Sequence, residues 1–194
     1  MEKSGKPSPE ERFHANVVGL GELLHDIVRE VNGKGYEIVT PQVIELAVRV
    51  LEKLDHITVI HSFIRKSNEK EKTEGDLKEH CWEKIRVRDR RFFLQNAGKI
   101  FSDLPMSKVN AFSHMFSLKD ADGNFVVSKE DEEEIWEYFE SLVKIAIKYI
   151  HEKRQPILIR HESEEIRRYE KRAFEEVDLA SHAKFWEIEL EFNE

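Results

Sequence analysis

With 194 residues, an apolar share of 40%, a charged share of 36% and a formal charge of −8, the chain has enough apolar material for one sizeable core and an unusually charged surface. That acidic balance excludes a protein that coats nucleic acid without specificity, and a single cysteine, Cys81, excludes an internal disulfide and fits a reducing compartment. No apolar run approaches the ~18 residues of a membrane span, and the N-terminus lacks an apolar signal core, so an intracellular, cytoplasmic protein without membrane contact is expected.

In chain order, residues 1–9 read as a disordered lead rich in Gly, Pro and Ser. From Glu10 to Asn32 the apolar residues Phe13, Val17, Leu20, Leu24, Ile27 and Val31 recur at helical spacing, and "NGKG" at 32–35 stops the helix. A second helix is expected over 40–66, with Thr40 as N-cap and Pro41 in the first helical position. Its apolar stripe, Val43, Ala47, Val50, Leu54, Ile57, His61 and Ile64, alternates spacings of four and three, which makes a seam for another helix in this chain or another. The polar His61 on that seam suits a register or partner signal, or a satisfied core position.

A third helix is predicted from Asp76 to Leu104, carrying Leu77, Cys81, Ile85, Phe92 and Ile100 on one stripe, and Pro105 interrupts it. A shorter segment, 107–118, leads into the loop "KDADGNFVV". From Ser128 to about Lys153 a long helix presents Ile135, Phe139, Leu142, Ile145 or Ala146, and Tyr149 on one face. Ser128 with Asp131 forms a weak capping box, and the acidic residues 130–133 suit the positive end of the helix dipole. The fold class is therefore mainly α: a bundle of four long helices over 10–154 (helices 10–32, 40–66, 76–104 and 128–153). Residues 155–194 then read as a small α/β-like appendage. It comprises the β-like run "PILIR", the charged helix "SEEIRRYEKRAFEEV" and a terminal strand in which Trp186, Ile188, Leu190 and Phe192 alternate with glutamates.

Four constellations carry functional expectations. Between Lys84 and Arg91 five of eight side chains are cationic, namely Lys84, Arg86, Arg88, Arg90 and Arg91. Arginine forks bind phosphate. The same charges also suit an acidic protein partner or an internal pairing with the acidic stretch Glu130–Glu140, and the internal pairing ranks first. The terminal strand is the second, able to pair within the chain or to add to the sheet of another protein. Third, Asp120, Asp122, Asn124 and Asp131 follow part of the EF-hand calcium pattern. Phe125 stands where the pattern needs glycine, and Asp131 is shorter than the usual terminal glutamate. Fourth, Glu22-x-x-His25 has the spacing of half a di-iron site, but no second such pair exists. There is no nucleophile elbow, P-loop or dinucleotide glycine pattern, and no cofactor is expected.

The segment "SKEDEEEIWEYFESLVKIAIKYI", residues 128–150, resembles small helical proteins of nucleocytoplasmic large DNA viruses in its polar helix start, in Ile135-Trp136, in Tyr138 and in the continuation through Phe139, Leu142 and Ala146. The resemblance implies a virus-encoded structural or accessory protein of virion or host cytoplasm, and it transfers no catalytic residue. The combined expectation is a non-catalytic interaction or assembly protein that binds a protein partner or itself as a homo-oligomer. The alternative is a regulatory nucleic-acid-binding module using the Lys84–Arg91 helix.

Overall fold

Ser8 opens the first helix through a reciprocal capping box. Its hydroxyl accepts from the Glu11 amide at 3.2 Å, and the Glu11 carboxylate accepts from the Ser8 amide at 2.7 Å, with Pro9 in the first helical position. The structure is a computed structural model that describes residues 6–36, 38–67, 81–100, 106–153 and 179–189. Among them run α1 (Pro9–Gly33), α2 (Pro41–Leu51), α3 (His56–Ser67), α4 (Cys81–Arg86), α5 (Arg90–Ile100), α6 (Met106–Met115), α7 (Lys129–Lys153) and α8 (Leu179–Phe185). The mainly α expectation holds, and no helix among the described residues is long and apolar enough to cross a membrane.

The two 25-residue helices, α1 and α7, form the spine, each about 37 Å long. They run antiparallel: Phe13 packs in one core cluster with Ala146 and Tyr149, while Ile27 and Val31 pack in the other with Ile135. Leu20 and Phe139 touch both clusters and join them into one interior. Two glycines inside α1 permit this closeness. A Cβ at Gly19 would stand 2.8 Å from the Tyr138 hydroxyl, and one at Gly21 would stand 2.6 Å from Val48 Cγ2. Each glycine lowers helix propensity by about 1 kcal/mol, and the close approach of α7 and α2 offsets that loss.

Two of the expected long helices are each broken in two. The helix read over 40–66 ends at Leu51, whose carbonyl accepts from His14 Nε2 at 2.8 Å. It restarts after Asp55, whose carboxylate accepts from the Thr58 amide and hydroxyl at 3.0 and 3.1 Å. The heptad seam therefore divides. Ile64 and His61 are buried on α3, while Val43, Val50 and Leu54 face outward. The helix read over 76–104 breaks at Val87–Asp89 within its described part, 81–100. Arg88 adopts φ +51°, the Arg88 amide donates to the Ile85 carbonyl and the Asp89 amide to the Lys84 carbonyl, a Schellman ending with arginine where glycine is usual. Asp89 then N-caps α5 by accepting from the Phe92 amide at 2.9 Å.

The expected terminal strand meets a helix end instead. Trp186 and Glu187 form the turn that closes α8: Glu187 sits at φ +54°, and the Ile188 amide donates back to the Ala183 carbonyl at 2.9 Å. A backbone curled in this way cannot present residues 186–189 as an extended edge. The run 156–160, the charged helix read after it, and Leu190 and Phe192 lie outside the described residues. Among the described residues the β content is an isolated bridge between Lys119 and Phe125.

Candidate interaction surface

The basic run is divided by a turn at Val87–Asp89, with Lys84 and Arg86 on α4, Arg88 in the turn and Arg90 and Arg91 on α5, and its side chains, Arg91 apart, reach toward acids of the same chain. Lys84 donates to Asp89 at 3.1 Å. The Arg88 guanidinium donates to Glu140 at 2.9 Å and also to Glu133, both on α7. Arg90 lies 3.1 Å from Glu132, donates to the Phe116 carbonyl and stacks 4.3 Å from the Phe125 ring centre. Arg86 lies 3.3 Å from Glu187 and covers the rings of Phe185 and Trp186 at 5.5 and 5.6 Å. The hydrogen bond to Glu140, with the charges of Glu140 and Glu133, holds the Arg88 guanidinium above its ordinary value. The Phe92 amide and Lys84 hold the Asp89 carboxyl below its own. Arg91 differs: it is exposed and makes no ion pair among the described residues.

The acidic loop is organised around its own backbone. Asp120 Oδ1 accepts from the amides of Asp122 and Asn124 at 3.0 and 2.9 Å. Asp131 is held at the start of α7, where its amide donates to the Ser128 hydroxyl and its carboxylate accepts from that hydroxyl at 2.7 Å. No three His, Cys, Asp or Glu side chains converge on a metal-sized site among the described residues. His61 is buried in the core with Nε2 at 2.7 Å from the Tyr149 hydroxyl, which accounts for a polar residue on an apolar seam. Burial pushes the Cys81 thiol up to about 12, far from a thiolate at neutral pH.

The surface that the fold leaves unsatisfied is the outer face of α2. Ile44 and Val48 pack in the core cluster that includes Ile27 and Val28 of α1, with Ile44 buried, and the half-buried Leu51 continues that stripe. A second stripe about 100° around the helix points away: Leu46 is 64% exposed, Val50 51%, and beyond them Leu54 40% and Val43 36%. Ala47 is exposed between them. The rim carries both signs, with Arg49 bonded to Glu45 at 2.5 Å and Glu52 and Lys53 exposed at the helix end. The heptad seam expected from the sequence holds three of these four residues, Val43, Val50 and Leu54, and omits Leu46 and the separate stripe of Ile44, Val48 and Leu51. An apolar arc that wide is more than one neighbour can cover.

No family model, curated protein or solved structure matches this chain.

Proposed function

We propose that this chain is a non-catalytic interaction protein whose contact surface is the outer face of α2, where it receives the apolar face of another helix. The observation that carries the reading is the exposed row Val43, Leu46 and Val50 on α2, continued by Leu54 just past its end, beside a stripe of the same helix that is already seated. Four such side chains, half-covered already, contribute on the order of 4 kcal/mol when fully buried, before the loss of translational freedom is counted. The stripe is thus the apolar centre of a larger contact. Its mixed rim of Glu45, Arg49, Glu52 and Lys53 selects neither a strongly acidic nor a strongly basic partner and is compatible with a second copy. A virus-encoded accessory role, suggested by residues 128–150, belongs to the same reading.

The test is a photo-crosslinking residue in place of Leu46 in the full chain, with position 137 on α7 as control. A discrete adduct from position 46 that is lost on Val50→Ser supports the reading, whether its mass is that of two copies or of this chain plus another protein. The same adducts from both positions, or none from 46, would overturn it.

A further inference from the structure

Between the two spine helices lies an open concavity of about 330 Å³, lined by Arg12 of α1 and by Glu137, Glu140, Ser141, Lys144 and Lys148 of α7. The α7 residues recur at spacings of three and four, so one face of that helix supplies them all. The half-buried Ile145 adds an apolar patch to the wall.

The charges here run against the rest of the molecule. The chain carries a formal charge of −8, yet three exposed cations, Arg12, Lys144 and Lys148, meet at this one place. Glu140 is committed to Arg88 at 2.9 Å and comes no nearer than 3.9 Å to the Lys144 ammonium. Arg12 and Lys148 form no ion pair among the described residues. Glu137 is then the lining carboxylate set against three cations. Lys144 and Lys148 stand one helical turn apart, a spacing at which like charges repel unless an anion answers both.

A phosphate dianion suits these features. Arg12 offers a planar fork for two oxygens, the lysines supply point charges, and Ser141 places a hydroxyl donor on the same helix face. The volume is at the low end for small-molecule sites, enough for a phosphate on a body of a few carbons. Glu137 lies seven residues before Lys144, about 10 Å along the helix, where it can accept from hydroxyls of such a body. We propose that this concavity binds a small phosphomonoester with a hydroxylated carbon body, its phosphate held by Arg12, Lys144 and Lys148 and its hydroxyls by Glu137. The ligand joins α1 to α7. The inference stands independently of the α2 surface, which it does not use.

The test is calorimetric titration of the full chain with glycerol 3-phosphate. A Kd below ~1 mM is expected at ~20 mM salt, weakened at least threefold at ~200 mM. At ten times its Kd the ligand should raise the melting temperature by about 3–6 °C. Arg12→Gln with Lys148→Gln removes two cations that no described acid holds, so the fold is kept and affinity falls at least tenfold. No binding at ~10 mM ligand, or equal binding by a double variant with native circular dichroism, overturns the proposal. Should the double variant fail to fold, Lys148→Gln alone carries the same comparison. Vesicles containing phosphatidic acid form a second arm. Co-sedimentation with them, lost in the variant and without binding of glycerol 3-phosphate, would place the phosphate on a lipid and overturn the small-molecule ligand.

Discussion

The α4–α5 turn and the outer face of α2 present opposite cases of apparent availability. The turn has the densest positive charge in the chain, yet Arg86, Arg88 and Arg90 each face a carboxylate of the same molecule and Lys84 faces Asp89. The face of α2 has no charge signature at all, yet Leu46 and Val50 stand in solvent. A run of like charges reports how many counter-charges a fold must supply, and only the fold shows whether it supplies them. Apolar exposure is different in kind, because water offers those side chains no substitute partner.

The largest effect that would break this comparison is charge reversal at Arg88. Arg88→Glu removes the bonds to Glu133 and Glu140 and places a third carboxylate beside them. After allowance for partial exposure we expect a loss of about 2 kcal/mol and a melting temperature lower by about 4–8 °C. Denaturant titration checks it. Unchanged stability together with lost binding to a nucleic-acid probe would instead make the turn a ligand surface.

The next effect isolates the cap. Asp89→Ala takes the N-cap from α5 and the partner from Lys84, with an expected loss of about 1 kcal/mol at pH 7. The folded Asp89 carboxyl titrates below its unfolded value, so its stabilisation is complete above about pH 4 and disappears as pH falls through the lower folded value. The difference between native and variant in denaturant midpoint should therefore narrow on acidification below pH 4. A constant difference would assign the loss to packing alone.

On α2 the expected effect on folding is smaller still. Leu46→Ser with Val50→Ser removes exposed apolar surface without touching the core, so stability in denaturant titration should change by less than about 0.5 kcal/mol while association through this face, read by light scattering or pull-down, disappears. A large destabilisation would mean that the stripe is already covered within the chain.

How much of this was legible depends on which signals are local. The apolar periodicities of α1 and α7 are long and mark both helices, and Ser128 with Asp131 marks the start of α7. Both helix breaks were carried by single aspartates, Asp55 and Asp89, without the glycine or proline that usually announces a break. At Arg88 the left-handed backbone is held by carboxylates of α7, 45 and 52 residues away, which no window of sequence contains. The alternation at Trp186–Glu189 misled for a related reason. The alternation through Phe192 fits a strand, and its described part, Trp186–Glu189, also fits a helix end whose chain turns at Glu187. The internal pairing of the basic run was legible as charge complementarity with Glu130–Glu140, and its geometry was not.

Arg91 makes the sharpest small test, because it belongs to the same charge run and differs only in where the fold puts it. It is exposed with no ion pair among the described residues, whereas its neighbour Arg90 is pinned between Glu132, the Phe116 carbonyl and the Phe125 ring. Arg91→Glu should change stability by less than about 0.5 kcal/mol, and Arg90→Glu by more than about 1 kcal/mol, in the same denaturant titration. Equal effects would mean that general charge density, not specific pairing, governs the turn. Unequal effects in the stated order place the stabilisation in individual carboxylate contacts. In that case Arg91 is the residue of the run whose charge remains available to a partner.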